Sequence, residues 1–97
     1  MAAVALFVRL NAKPTKTREV VELLTQALPM VEDEPATRTW YAVRFGTTTF
    51  GIFDTFDDEA GRRAHLTGKV AAALKENEHL FEETPDLETA DVLAEKL

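Results

Sequence analysis

Apolar and polar residues alternate with a period of two over residues 3–11, placing Val4, Leu6, Val8 and Leu10 on one face and Ala5, Phe7, Arg9 and Asn11 on the other. The pattern predicts a strand whose aliphatic face lies under helices. Its second face mixes an aromatic ring, a guanidinium and an amide, which suits a partly polar cavity or an interface better than a dry interior. The period then changes. Val20, Leu24, Ala27 and Val31 recur at helical spacing, Leu23 and Leu28 widen the stripe, and Glu19, Glu22, Gln26 and Glu32 take the wet side. Pro14 and Thr15 open this helix. Pro29 lacks the amide proton that would bond the Thr25 carbonyl, and the stripe continues past it through Met30 and Val31, which favours a kinked helix over one that stops at Leu28.

Two strands are predicted over residues 38–45 and 49–56, joined as an antiparallel hairpin by Gly46, Thr47 and Thr48. Asp57 is placed to cap the following helix, with Asp58 and Glu59 at the positive end of its dipole, so the acidic cluster reads as structural. Gly68 separates a short helix over residues 58–66 from a second over residues 69–82 that carries Val70, Ala73, Leu74, Leu80 and Phe81. Pro85 restarts an extended chain, and residues 86–97 are read as a last strand, although DVLAEKL alone would equally suit a helical turn. The order β-α-β-β-α(α)-β is that of the α+β, ferredoxin-like split βαβ arrangement: one antiparallel sheet with helices on one side. The bare sheet face asks for a cover, and a second copy would close a barrel around a dimer axis.

Composition narrows the field of functions. Ninety-seven residues fit a single domain spanning 1–97, with the apolar and charged fractions of an ordinary globular protein. A net charge of -6 with dispersed basic residues argues against nucleic acid. No apolar run is long enough to span a bilayer, and MAAVALFVRL has neither a basic leader nor a cleavage site, so a cytoplasmic protein is expected. The absence of cysteine excludes disulfides, thiolate metal sites and cysteine nucleophiles. Two distant histidines form no recognisable metal-ligand set, and there is no G-x-G-x-x-G or P-loop cradle for a nucleotide cofactor.

The first strand ending near Asn11, the EDEP segment after the first helix, TWYAVRF, FGIFDTF running into DEAGRRAHL, and the closing DVLAEKL together resemble the antibiotic biosynthesis monooxygenase family of the dimeric α/β-barrel superfamily. The resemblance implies a homodimer. It also implies a cofactor-free monooxygenase in which a small aromatic or quinol substrate supplies the electrons for molecular oxygen, while the protein binds it, deprotonates it and excludes water. A non-catalytic dimeric binding or stress-related module of the same fold is the alternative. Haem-degrading relatives use a histidine on the helix after the third strand; the nearest match in this chain is Lys75, which counts against haem.

The residue types that such members place around the pocket are matched here by Asn11, Trp40, Arg44 and His65, with Phe7 and Arg9 on the second face of the first strand. Trp40 and Tyr41 are consecutive on a strand and point to opposite faces, so only one can line a given cavity; Trp40, which shares a face with Arg44, is the choice. Asp54 interrupts the apolar run FGIFDTF. It is either ion-paired with Arg9 or Arg44, or a desolvated base. His65 is either a proton acceptor at a pocket edge or a histidine answering free carbonyls at its helix C-terminus. Asn11 either orients a substrate hydroxyl or serves the turn after its strand, and Asn77 is a second amide able to face inward. His79 falls on a solvated face.

Overall fold

The computed structural model describes residues 2–97. Strand β1 (Val4–Asn11) leads through a 3₁₀ turn at Pro14–Lys16 into helix α1 (Thr17–Glu32). A short connection brings in β2 (Thr37–Arg44) and β3 (Thr49–Phe56), and then helices α2 (Glu59–Leu66) and α3 (Lys69–Glu76). A 3₁₀ turn at Glu78–Leu80 precedes β4 (Asp86–Asp91). The sheet is antiparallel throughout, in the order β2-β3-β1-β4. This is the α+β, ferredoxin-like arrangement expected from the pattern.

Directly paired residues share a sheet face, so the register sorts every strand position. Leu6 pairs with Asp54, which pairs with Trp40; Val8 pairs with Ile52, and Leu10 with Phe50. These side chains meet the helices. Leu6, Val8, Leu10, Phe50, Ile52 and Phe56 form the core with Val20 and Leu24 of α1. A second cluster of Ala27, Val31 and Val70 joins α1 to α3. Helix α1 runs through Pro29 to Glu32, because its buried stripe of Val20, Leu24, Ala27 and Val31 is worth more than the one hydrogen bond lost at an exposed position.

The opposite sheet face carries no element among the described residues. Phe53 stands there between Phe7 and Tyr41 in a row across three strands, with Val43 and Phe45 beside them, and Tyr41 and Phe45 are 55% and 58% exposed. Arg9 lies over the Phe7 and Phe45 rings, its carbon 5.5 and 5.2 Å from their centroids.

Four boundaries differ from the sequence expectation. The cap of α2 is Asp58, whose side chain accepts from Gly61 N at 2.9 Å, while Asp57 pairs with Arg38 at 3.0 Å. The hairpin strand starts and ends one residue early, at Thr37 and Arg44. The final helix stops at Glu76 because Asn77 turns its amide back onto Ala73 O at 2.8 Å, and Phe81 is drawn into a bridge with Ala12. The final strand ends at Asp91, beyond which Leu93 and Leu97 are exposed and the apolar positions have no surface to follow.

Candidate functional site

Helix α2 is short, and two contacts fix its placement. Asp58 caps its start, and Arg62 reaches down to the sheet, donating to Ala5 O at 3.0 Å and Ala90 O at 3.3 Å while pairing with Glu59. With the helix held in this way, Gly61 and His65, one turn apart, face inward and are buried. His65 meets Asp54 there. Asp54 stands on the central strand β3 with its side chain toward the helices and no exposure at all.

The imidazole is held from both sides. Nδ1 lies 2.6 Å from Glu34 Oε1, and Nε2 lies 2.9 Å from Asp54 Oδ2. Glu34 comes from the turn between α1 and β2, where its Oε1 also accepts from the Thr37 hydroxyl at 2.7 Å. The Asp54 contact is close enough for an ion pair but is not aligned as a hydrogen bond, and both Asp54 oxygens lack such a partner among the described residues. Glu34 Oε2 and Trp40 Nε1 are likewise buried without one. The His65 ring also lies against Phe56, with centroids 5.4 Å apart.

Two opposing effects act on each titratable group. Burial alone would push the His65 pKa below its ordinary 6.5, but the contacts with Asp54 and Glu34 outweigh burial and raise it. Burial pushes Asp54 above its ordinary 3.8, the adjacent imidazole opposes this, and the charge of Glu34 adds to the rise. Both shifts favour the protonated form of their group.

Two hollows flank the imidazole. One is a cleft of about 340 Å³ between the sheet and helices α2 and α3; Leu6, Val8, Ile52, Leu66, Val70 and Leu74 line it together with His65, and Lys75, Glu78 and Leu87 stand at its edge. The other, about 330 Å³, lies between the α1–β2 turn and the outer side of α2, lined by Asp33, Glu34, Thr37, Gly61, Ala64 and Lys69 as well as His65. The first suits a small, flat apolar molecule presented to one ionisable ring.

A solved structure of NE2512, a protein of unknown function from Nitrosomonas europaea, is 48% identical to this chain, covers all of it and 95% of its own length, and superposes with a TM-score of 0.97. The two chains belong to one family. A structure described as an antibiotic biosynthesis monooxygenase matches with a TM-score of 0.82 at 12% identity, covering 94% of this chain and 99% of its own. A candidate antibiotic biosynthesis monooxygenase from Nitrosomonas europaea matches with a TM-score of 0.85 at 14% identity, over 94% and 99% of the two chains. At the level of fold, this chain has the architecture that the sequence resemblance implied. No family model and no curated protein matches the chain.

Of the residues singled out in the sequence, His65 and Asp54 come together, and Trp40 stands beside Asp54 on the neighbouring strand. The others lie elsewhere. Arg44 shares the helix-facing side with Trp40, but its guanidinium closes the hairpin, donating to Gly46 O and Thr47 O at 2.9 Å each, with its carbon 5.0 Å from the Phe50 ring centroid. Phe7 and Arg9 are on the outer face. Asn11 donates to Glu83 at 3.0 Å at the sheet end. The expected ion pair of Asp54 with Arg9 or Arg44 does not form: Arg9 is on the outer face, Arg44 sits opposite Phe50 at the hairpin end with its guanidinium on the turn carbonyls, and the group beside Asp54 is the His65 imidazole. The cleft wall is aliphatic around the imidazole, where aromatic walls were expected.

Glu34 was missed as a functional candidate. The EDEP segment reads as a helix breaker, and no local pattern links it to a histidine 31 positions away.

Proposed function

We propose that this chain is a cofactor-independent monooxygenase that oxidises a small aromatic or quinol substrate in the cleft beneath α2 and α3, working as a homodimer. The observation that carries the reading is His65, held between Glu34 and Asp54 and lining an apolar cleft of about 340 Å³. The fold shared with proteins described as antibiotic biosynthesis monooxygenases supports it. The exposed aromatic face of Phe7, Tyr41, Phe45 and Phe53 supports the dimer, since an apolar surface of this kind on a small domain is normally covered.

In this reading the aliphatic wall strips water from the substrate and lays its activated carbon and hydroxyl against His65. The hydroxyl proton passes to the His65–Asp54 pair, whose raised carboxyl is a ready acceptor. The resulting anion gives one electron to molecular oxygen, and recombination of the two radicals forms a carbon–oxygen bond as a peroxide anion. That anion takes back the proton held by the His65–Asp54 pair to become a hydroperoxide. Loss of water breaks the oxygen–oxygen bond and leaves a carbonyl. One oxygen atom ends in the product and the other in water, so the substrate supplies all the electrons.

The test is oxygen uptake by purified protein with a panel of quinols and hydroxylated polycyclic phenols, each corrected for spontaneous oxidation. Turnover with at least one, lowered about 10²-fold or more in His65→Gln, is the expected result. No rate above background with any of them would overturn the reading.

One observation favours a second reading, a non-catalytic ligand-binding module of the same fold: both ring nitrogens of His65 are already held by carboxylates. That reading expects aromatic ligands to raise the melting temperature without any oxygen uptake.

A further inference from the structure

Part of the cleft rim is built from an irregularity in strand pairing. Phe81 bridges to Ala12, and Asp86 pairs with Arg9 where β4 begins. Between these two anchors β1 runs through two residues, Leu10 and Asn11, while the facing chain runs through four, residues 82–85. The surplus has no partner in the ladder and bulges from it, a device that proteins use beside sites to re-aim a short piece of chain. Pro85 suits the bulge, since it brings no amide to the ladder. Thr84 and Pro85 accordingly line the apolar cleft, next to Leu87.

One residue holds this bulge from the sheet. The Asn11 backbone oxygen accepts from Glu82 N at 2.8 Å, and its side-chain Nδ2 donates to Glu83 Oε1 at 3.0 Å. On its other side Asn11 Oδ1 accepts from the Thr49 hydroxyl of β3 at 3.4 Å, which turns Nδ2 toward Glu83. Beyond that contact the segment is anchored at its ends: Lys13 N donates to Leu80 O at 2.9 Å before the bulge, and the β1–β4 ladder takes over at Asp86 after it. Among the described residues the Asn11–Glu83 contact is the one side-chain hydrogen bond made by residues 82–85. Asn11 is not itself a lining residue of the cleft, so it does not orient a ligand there directly.

The rim and the imidazole differ in depth. His65 is buried and Thr84 is exposed, so a flat ligand whose hydroxyl meets His65 points its far end toward the rim. The walls between them are aliphatic and make no distinction among ring systems beyond their size. Length is therefore read at the rim.

We propose that Asn11 is a specificity-determining residue of the cleft: by pinning Glu83 it fixes the Thr84–Pro85 rim and so limits the length of the ring system that fits beside His65. It acts through the rim and touches no reacting atom. The inference rests on the proposed reading for where the aromatic ligand lies, and not for its oxidation. A two-ring phenol is retained beneath the pinned rim, whereas a three-ring phenol needs the rim displaced. Loss of the pin shifts selectivity toward longer rings and speeds release of short ones.

Binding of 2-naphthol and 2-anthrol, read by ligand fluorescence, tests this without turnover. The ratio of the 2-anthrol Kd to the 2-naphthol Kd is expected to fall about fivefold in Asn11→Ala and in Glu83→Ala, within the range that one hydrogen bond commands. Dissociation of 2-naphthol in stopped flow should quicken about as much in both. The double variant should change no further, because both substitutions remove the same contact. Glu83→Gln keeps the acceptor oxygen and should keep the wild-type ratio. A contact that served folding alone would move the melting temperature and leave the ratio where it was. Wild-type ratios in both alanine variants, additive effects in the double variant, a Glu83→Gln ratio matching that of Glu83→Ala, or binding of neither phenol to the wild type would each overturn the proposal. The expected ratios together with no oxygen uptake from any quinol sink the oxygenase reading instead and leave the rim standing.

Discussion

Replacing His65 by glutamine keeps a polar side chain of similar size and removes the imidazole held between two carboxylates. Asp54 is fully buried and His65 is 6% exposed, so the remaining charge has no water to turn to. Breaking a buried pair by removing one partner costs about 3–5 kcal/mol. A domain of this size has only about 5–15 kcal/mol in total, so roughly a fifth or more of the stability is at stake. At roughly 4–8 °C per kcal/mol for such a chain, the melting temperature should fall by at least about 12 °C at pH 7.

The pH dependence of that loss identifies its source. The folded pKa values of His65 and Asp54 are both raised, so each group contributes stability that is full below its unfolded value and lost as pH climbs through its folded one. In the wild type the His65 contribution is complete below about 6.5 and declines above the raised value, with a slope of at most about 1.4 kcal/mol per pH unit for one proton. In His65→Gln that decline is absent, and the variant instead weakens as Asp54 ionises without a partner at pH values above 3.8. The gap between the two proteins should therefore be narrower near pH 4 than at neutrality, where it is widest, and narrower again at alkaline pH. Urea unfolding followed by circular dichroism from pH 4 to 9 measures it directly. A gap under about 1 kcal/mol at pH 7, or one that does not change with pH, would refute the assignment of a charged imidazole held between Asp54 and Glu34.

Three further outcomes are expected. Phe53→Glu places a charge in the centre of the exposed aromatic face and should yield folded monomers by sedimentation velocity where the wild type sediments as a dimer; a wild-type monomer would remove the dimer from the proposal. Asp58→Ala removes the side-chain acceptor for Gly61 N and should cost about 1 kcal/mol in urea titrations, whereas Asp57→Ala, which leaves that cap untouched, should cost less. Leu74→Trp, at a half-buried position on the cleft wall, should abolish quinol turnover and ligand-induced thermal shifts while leaving the far-ultraviolet spectrum unchanged; retained activity would put the substrate elsewhere.

The sheet and helices were legible because their periodicities are long and their faces one-sided: Leu6, Val8 and Leu10 on β1, and Val20, Leu24, Ala27 and Val31 on α1, are buried as their spacing requires, with Val4 partly so. Errors gathered where a local side-chain contact overrides the pattern. Asn77 ends α3 by bonding Ala73 O, and Asp58 displaces Asp57 as cap because only its carboxylate reaches Gly61 N while Arg38 engages its neighbour. The site was harder. Asp54 was conspicuous as a charge inside an apolar strand, and His65 as an inward histidine, but their contact depends on where α2 crosses β3. Glu34 lies on a turn with no period to mark it, and its role follows from Gly61 and Gly68, whose missing side chains let that turn approach. Arg44 looked like a substrate clamp because a strand pattern cannot show that the guanidinium folds back onto the hairpin carbonyls two and three residues ahead.

Strand β4 has one further consequence. It pairs on one side alone, with β1, every one of its six residues is exposed, and it carries Leu87 at the edge of the cleft. Marginally protected edge elements open at low free-energy cost, well before the rest of the sheet. Ligand admission and fraying of this strand are then coupled: whatever enters beside Leu87 does so next to a strand paired on one side alone, and a bound ligand is expected to return protection to the amides of residues 86–91. Hydrogen exchange along β4 becomes a sensor of cleft occupancy that requires no knowledge of the reaction.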